Sequence, residues 1–153
     1  IAPHLAAEQE GYSLTAVAIA EWCLAQIKPD YDYVLIEGAG GWRVPLNDQE
    51  TWVHVVKRLQ AFVIWVVGLR LGCINHAQLT EEALYIDQVP LLGWIANHCD
   101  AACLVTEQIA HSLKKHLQSP FLGEVAHAVS SHSFKISLIE LGVQNQHITR
   151  GLL

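Results

Sequence analysis

The sequence contains no methionine, and none of its 153 residues form the phosphate-binding pattern G-x-x-x-x-G-K-[ST]. It also lacks an apolar run of the ~18 residues that span a bilayer, because the longest candidate, residues 61–68, is soon followed by Arg70. Basic residues are few: nine Lys and Arg face fifteen Asp and Glu, and no basic cluster exceeds two adjacent residues. These absences argue against a membrane span and against nucleic acid as a partner.

Cysteine is scarce, and its spacing fits neither a disulfide framework nor a zinc site. Cys99 and Cys103 lie near His98, but the C-x-x-x-C spacing has no second pair. No signal peptide is recognisable, so we expect free thiols and a cytoplasmic location. The sequence begins at Ile1 without an initiator methionine, and we therefore expect it to be part of a longer product.

Length and apolar content predict a single domain over residues 1–153. A domain of this size buries roughly 70% of its unfolded surface. Hydrophobic residues make up 52% of the chain and charged residues only 16%, which favours strands covered on both faces or a large partner interface. Residues 128–153 carry no clear pattern and form an unassigned tail.

Apolar runs alternate with helix-like periodicity along the first 124 residues. This pattern predicts the α/β class, with a parallel sheet and helices on both faces. Ser13, Asn47 (with Glu50 as its partner), Asn75 and Asp100 are the expected helix caps. The predicted strands are residues 31–36, 61–67, 91–96 and 121–123, and the predicted helices reach from Ser13 to Gln26, 51–60, 75–87 and 101–117.

Each predicted strand ends in a polar or glycine-rich loop. Glu37, residues 68–75, Asn97 with His98, and Glu124 follow the four strands in turn. Because ligands of open α/β sheets bind outside the carboxyl ends of the strands, we expect these four loops to face one crevice.

Glu37 stands where an apolar run meets the glycine-rich turn Gly38-Ala39-Gly40-Gly41. Glycines let backbone amides approach an anion closely, and Mg²⁺ binds through one or two carboxylates together with phosphate oxygens and water. One interpretation is therefore a metal ligand beside phosphates. The alternative is an exposed strand-end acid next to a flexible turn.

The second loop, Gly68-Leu69-Arg70-Leu71-Gly72-Cys73-Ile74-Asn75, leads from a strand into a helix. The first amides of a helix attract a carboxylate or phosphate, and Arg70 adds a fixed cation. Alternatively, Gly72 permits a turn, Cys73 fills a gap and Asn75 only caps the helix, with Gln78 as its partner.

Asn97 ends the third strand with an amide that offers both a donor and an acceptor, as reading the edge of an adenine requires. A turn-forming asparagine explains the same position. Nucleophilic catalysis finds no support, because the serines at 130, 131 and 133 lack a G-x-S-x-G turn.

Taken together, these segments resemble the dethiobiotin synthetases. The stretch Leu71-Gly72-Cys73-Ile74-Asn75-His76-Ala77 is the most specific, whereas Glu-Gly-Ala-Gly-Gly alone also fits cobyrinate amidotransferase-type synthetases. The resemblance runs from residue 1 to about residue 127. It is carried by residues 33–42 with Pro45-Leu46, residues 67–80 and residues 93–97.

The resemblance implies a P-loop NTPase-like fold and an ATP- and Mg²⁺-dependent ligase of biotin synthesis. In that chemistry 7,8-diaminononanoate reacts with CO₂, the carbamate attacks the γ-phosphate of ATP, and closure of the ureido ring expels phosphate. The implied nucleotide and metal residues are Glu37 (also the Mg²⁺ ligand), Gly38, Ala39, Gly40, Asn97 and Glu124. The implied substrate residues are Arg70, Leu71, Gly72, Cys73 and Asn75, at a helix start that takes the substrate carboxylate across a homodimer interface.

Three departures from the family pattern affect this transfer. Gly123-Glu124-Val125-Ala126 lacks the proline of the usual Gly-Glu-x-Pro, and His98 replaces an acid that often follows the asparagine. The family's phosphate loop, catalytic lysine and second metal acid have no counterpart, so we expect a carboxyl-terminal part that is inactive alone. The competing hypotheses are a non-catalytic dimerising or ligand-binding relative and a cobyrinate-synthetase-like ligase fragment.

Overall fold

The computed structural model of the protein describes residues 1–38, 40–99, 103 and 105–127, in which parallel strands and helices alternate from residue 63 onward. The described residues fall into two units, 1–62 and 63–127. The first unit contains α1 (Pro3–Gln9), α2 (Ala16–Gln26) and α3 (Trp52–Leu59). The second contains β1 (Val63–Gly68), α4 (Cys73–Ile86), β2 (Leu91–Asn97), α5 (Thr106–His116) and β3 (Phe121–Val125).

The second unit is built on a parallel sheet with the strand order β1-β2-β3. Its core joins both flanking helices to the sheet, since Leu69, Ala77, Trp94 and Leu113 all belong to one buried cluster. Burying a side chain such as Leu113 contributes about 1.5–3 kcal/mol, so this core holds the strand ends in fixed positions. The predicted α/β class with a parallel sheet is confirmed.

In the first unit, α2 begins two residues later than predicted. Thr15, not Ser13, is the N-cap, and its hydroxyl accepts a hydrogen bond from the Ala18 amide at 3.2 Å. The Glu50 carboxylate accepts from the Ala16 amide at 3.0 Å and so satisfies a second amide of the first turn. A distant side chain therefore helps to fix this helix start, which local sequence cannot show.

Asn47 does not cap α3, in contrast to the prediction. Its Oδ1 accepts from the backbone amides of Gln49 and Glu50, both at 2.9 Å, and forms a local turn. The N-cap of α3 is Thr51, whose amide donates to His54 Nδ1 at 3.0 Å. The prediction failed because two polar residues at cap-like spacing, Asn47 and Glu50, bond to each other and to Leu14 and Ala16 instead.

The hydrogen bond from the Ala16 amide, followed by that from Asn47, lowers the pKa of Glu50 below its ordinary value. A carboxyl group whose pKa is lower in the folded state stabilises the fold above its unfolded pKa and loses that contribution as pH falls through the folded value. We expect Glu50→Gln to make thermal stability less dependent on pH below about pH 4.5. Thermal unfolding followed by circular dichroism between about pH 3 and pH 6 measures this. Asp48→Asn, at an exposed neighbour, should keep the wild-type dependence; an unchanged profile in Glu50→Gln would contradict the role of the carboxylate.

The predicted strand over residues 31–36 is wrong. This segment has no strand assignment, and the side chains of Tyr33 and Leu35 are 41% and 77% exposed. An apolar run becomes a strand only when a neighbouring strand satisfies its backbone groups. Among the described residues of this unit, the only β-bridge pairs Pro45 with Thr51.

The strand predicted over residues 61–67 is confirmed in type, although its apolar composition on both faces would also suit a central position in the sheet. They do form β1, but β1 is an edge strand of the described sheet, and Val66 is 59% exposed. Apolar residues on both faces indicate that a strand is buried, but they do not show whether it has one neighbouring strand or two.

Candidate functional site

Three strand ends meet at one edge of the second unit. Gly68 pairs with Asn97, and Asn97 pairs with Val125. The contacts continue past the strands, since the Leu69 amide donates to the Asn97 carbonyl at 2.8 Å and the His98 amide donates to the Val125 carbonyl at 2.9 Å. The expected convergence is therefore found for these three loops, while Glu37 belongs to the first unit.

Helix α4 begins directly beside this edge. Its N-cap is Gly72, in the left-handed region at φ 86°, and no side chain caps the first turn. Asn75 is exposed within that turn, so the prediction that it caps the helix is wrong. The reason is that glycine adopts a positive φ without strain and lets the helix start at Cys73. Because no side chain caps this helix start, backbone amides of its first turn carry a partial positive charge that is suited to an anion.

The other predicted substrate residues around this helix start differ in accessibility. Arg70 is exposed and Leu71 is 94% exposed, whereas Cys73 is 5% exposed and belongs to the buried core. Cys73 therefore supports the loop from the inside, and Arg70, Leu71, Gly72 and Asn75 form its accessible side. Gly72 has open space around its Cα, so its glycine is required by backbone conformation and not by crowding.

Asn97 keeps its amide available at the end of β2. Its Nδ2 lies 3.4 Å from the sulfur of Cys99, a weak acceptor. No other side-chain partner of this amide occurs in the part of the chain that the structure describes. A Cβ on Gly68 would come within 2.9 Å of the Cys99 sulfur, so glycine at Gly68 allows this close turn.

Glu124 lies inside β3, one residue before its end, and not in the loop that was predicted to follow the strand. One carboxylate oxygen is 2.5 Å from His98 Nε2, and the other is 3.5 Å from Lys114 Nζ. Lys114 in turn lies over the Phe121 ring, 4.1 Å from its centroid. Sequence reasoning missed this cluster, although the alignment of two adjacent strand ends, Asn97-His98 and Glu124-Val125, is a signal that could have found it.

The turn after Glu37 is built around Gly40. Gly40 has φ 86°, and a Cβ there would lie 2.6 Å from Cγ2 of Val44, whose amide bonds to the Gly41 carbonyl. Glu37 is exposed, Gly38 is half-buried, and Ala39 lies outside the described residues. No hydrogen bond or ion pair engages Glu37 from any other described residue. The carboxylate is thus open to a metal ion, as the predicted role requires.

Other features of the described residues bear on the ligand class. Within residues 1–38, 40–99, 103 and 105–127, no three His, Cys, Asp or Glu side chains are grouped as metal ligands, so a metal would be held by fewer protein groups. None of the described helices has the length and apolar content needed to cross a membrane. All four cysteines are free.

Comparison with known proteins identifies close relatives. A family model described as an AAA domain matches residues 1–131. The ATP-dependent dethiobiotin synthetase BioD of Cellvibrio japonicus is 48% identical over 139 residues, which is 86% of this chain and 60% of the relative. The enzymes of the same name from Marinobacter nauticus and Pseudomonas aeruginosa are 50% and 44% identical, over 80% and 82% of this chain and 53% and 55% of their own lengths. The chain thus spans a little over half the length of these curated relatives.

Proposed function

Because the chain belongs to the AAA-domain family and is homologous to dethiobiotin synthetases over most of its length, we propose that it supplies binding sites of an ATP-dependent ligase. The ligase forms the ureido ring of dethiobiotin from 7,8-diaminononanoate, CO₂ and ATP. The observation that carries the proposal is the sheet edge, where the Asn97 amide lies beside the loop that leads from Gly68 into α4.

The substrate carboxylate binds at the start of α4. The amides of the first turn point toward it, the exposed Asn75 side chain donates a hydrogen bond, and Arg70 provides a cation nearby. Charge-assisted hydrogen bonds of this kind orient a flexible, aliphatic substrate by one end. The two amino groups at the far end are then positioned for reaction, which is the main contribution of a protein to such chemistry.

In the reaction, one substrate amine and CO₂ give a carbamate, and a carbamate oxygen attacks the γ-phosphorus as ADP leaves. The second amine then attacks the carbamoyl carbon of the mixed anhydride and expels inorganic phosphate, which closes the ring. Asn97 takes the adenine through its donor and acceptor, so that the base is held at the same sheet edge as the helix start. The residues described here thus bind and orient the reactants.

Glu37 is the residue that would hold Mg²⁺, together with phosphate oxygens and water. Its exposure and lack of a partner among the described residues fit a metal that takes one or two carboxylates. When bound, the metal neutralises charge on the phosphates. Gly38 and Gly40 lie on the phosphate side of this proposed site, with the positive φ of Gly40 fixing its backbone. Ala39 is proposed as a contact with them and lies outside the described residues.

We expect Glu37→Gln to weaken binding of ATP in the presence of Mg²⁺ by about tenfold, because the amide keeps the shape but loses the charge of the ligand. Calorimetric titration measures the affinity, and paramagnetic broadening by Mn²⁺ reports the metal separately. Asp32→Asn, an exposed acid of the same segment, is the matched control and should bind normally. Equal Mg²⁺-dependent affinity in Glu37→Gln and the wild type would refute this metal site.

We also propose that two chains associate through α4. Leu71, Leu79 and Ile86 are 94%, 55% and 73% exposed, and Leu79 and Ile86 are seven residues apart on the helix. Residues at this spacing share one helical face, and an exposed apolar stripe beside the substrate site favours a protein partner.

A cytoplasmic location is part of the proposal, supported by the four free cysteines, and cell fractionation checks it.

A further inference from the structure

The strand β1 has a free edge in the part of the chain that the structure describes. The strand order is β1-β2-β3, so β1 pairs with β2 and with no second strand among the described residues. Its residues, Val63–Gly68, include no charged residue and no proline. Charges and proline are common protections of a free edge, whose backbone groups otherwise pair readily with another strand. The edge of β1 is therefore open to pairing with a further strand.

The backbone of β1 determines which groups face this edge. The amide of Leu69, directly after the strand, points toward β2, where it donates to the Asn97 carbonyl at 2.8 Å. Successive amides of a strand point to opposite sides. Counting back from Leu69, the amides of Ile64, Val66 and Gly68 face away from β2. These three donors are the groups that a further strand would engage.

Beside the free edge, one face of β1 is uncovered. Val67 belongs to the buried core that includes residues of α4 and α5, and Trp65 packs against that core. Val66 points to the opposite face, since side chains alternate along a strand, and it is 59% exposed. A parallel neighbour requires a crossover connection, which is usually a helix that packs on the sheet. A parallel strand with its helix would thus pair with β1 and also cover Val66.

The chemistry that this sheet edge lacks identifies the occupant. The curated relatives are named ATP-dependent, yet the pattern G-x-x-x-x-G-K-[ST] does not occur in the 153 residues. The chain covers only 60% and 53% of the lengths of the relatives from Cellvibrio japonicus and Marinobacter nauticus. A loop that follows a strand parallel to β1 would arrive where Gly68 and Asn97 lie paired, beside the start of α4. A phosphate-binding loop fits this place.

We propose that the free edge of β1 binds a parallel strand of a polypeptide that carries a phosphate loop, and that this partner completes the nucleotide site. The ligand rests on the proposed function, whereas the pairing rests on β1 alone. Main-chain hydrogen bonds from the Val66 and Gly68 amides provide the affinity, as in other cases of strand addition. The loop after the added strand then holds the phosphates through its backbone amides and lysine. A second copy of this chain would pair without supplying such a loop.

Coexpression of the 153-residue chain with the part of the Cellvibrio japonicus relative that lies outside the match tests the pairing. We expect a one-to-one complex in which amide hydrogen exchange at Ile64, Val66 and Gly68 is slowed by about tenfold or more. The amides of Trp65 and Val67 already point toward β2, so their exchange should change little. The same alternating pattern in the chain alone, at rising concentration, would assign the edge to a second copy and overturn the proposal.

Val66→Pro tests the edge directly, because proline removes an amide that faces the free edge and none that faces β2. We expect this variant to recover less than about a tenth of the partner recovered by the wild type. Val66→Thr is the matched control, since threonine keeps the amide and the branched shape, and it should recover as much as the wild type. Equal recovery by the two variants would overturn the pairing. The exchange pattern in the wild type decides the question even if Val66→Pro does not fold.

The matching part of the Cellvibrio japonicus relative serves as the positive control for the coexpressed polypeptide. Recovery by that part and not by this chain would contradict the proposal. Recovery by neither would also contradict it, because the proposal requires the polypeptide to be competent to pair.

Calorimetric titration with ATP and Mg²⁺ separates the pairing from the nucleotide site. We expect the complex to bind ATP at least about tenfold more tightly than the chain alone. A complex with the alternating exchange pattern that binds no ATP would refute the proposed nucleotide site, and with it the completing role of the partner, but not the pairing. Binding of ATP by the chain alone, with no complex formed, would refute the pairing and leave the proposed function standing.

Discussion

Replacing Gly93 by alanine is expected to destabilise the second unit by about 3 kcal/mol or more, a large part of the 5–15 kcal/mol that stabilises a typical domain. Gly93 has φ 150°, which residues with a side chain rarely adopt. A Cβ at this position would overlap the Pro120 carbonyl oxygen and lie 2.9 Å from Cδ2 of Leu122. Backbone strain and steric overlap therefore act together.

The overlap cannot be relieved without damage to the sheet. The Pro120 carbonyl accepts the Trp94 amide at 2.9 Å, and the Trp94 ring packs 4.8 Å from the Phe121 ring. Moving Pro120 away thus breaks the beginning of the β2–β3 pairing. Urea unfolding followed by circular dichroism measures the loss. Gly41→Ala, with nothing within 4 Å of the new Cβ, should change stability by less than about 1 kcal/mol. Wild-type stability in Gly93→Ala would contradict this packing.

The second large effect is expected for Glu81→Ala, at about 3 kcal/mol of lost stability. Glu81 is only 6% exposed, and its carboxylate accepts the Ser119 amide at 2.8 Å, the Ser119 hydroxyl at 2.5 Å and the Gln118 amide at 3.1 Å. Alanine would leave these donors without their acceptor in a buried place. Unsatisfied buried donors are costly because they have also lost their contact with water.

Glu82→Ala is the matched control for Glu81→Ala, because Glu82 is exposed on the same helix. We expect the control to lie within about 0.5 kcal/mol of the wild type. Hydrogen exchange of the Gln118 and Ser119 amides gives a local readout, and it should accelerate only in Glu81→Ala. A small change in stability together with unchanged exchange would show that the carboxylate does not hold this connection.

Both substitutions act on the connection between α5 and β3, residues 118–120. Gly93 of β2 leaves space for the Pro120 carbonyl oxygen. Glu81 of α4 accepts hydrogen bonds from the Gln118 and Ser119 amides. This connection places β3, and with it Glu124, beside the end of β2. The stability of the edge that carries Asn97 therefore depends on residues that do not belong to the site itself.

The sequence predicted the second unit well because its signals there were local and strong. A continuous apolar run such as Leu91–Asn97 indicates a strand buried in a parallel sheet. A periodic segment such as Cys73–Ile86 indicates a helix that packs on that sheet. The convergence of strand ends followed from parallel topology alone. Sequence motifs then placed Asn97 and the start of α4 at one edge.

The remaining errors have particular physical causes. Residues 31–36 have the composition of a strand but pair with no strand among the described residues. Asn75 is not the cap of α4, because Gly72 adopts the N-cap conformation three residues earlier. Glu50 was assigned to the wrong helix because its partner, Ala16, is 34 residues away. The cap predicted at Asp100 lies outside the described residues. Long-range hydrogen bonds are the kind of information that a single sequence does not display.

Association of two chains through α4 is tested by sedimentation. We expect a dimer. A monomer at chain concentrations used for substrate binding, with the site saturated by substrate, would contradict the association. The same measurement is a control for the substrate experiment. Asn75→Ala should sediment like the wild type, so that a loss of binding in this variant is not caused by a changed oligomeric state.

Calorimetric titration of 7,8-diaminononanoate into the 153-residue chain tests the central claim most directly. The account predicts binding that Asn75→Ala weakens about tenfold with an unchanged fold, because the proposed site has this exposed amide donating to the substrate carboxylate at the start of α4. Equal affinity in the wild type and Asn75→Ala, or no binding by a folded wild-type chain, would contradict it.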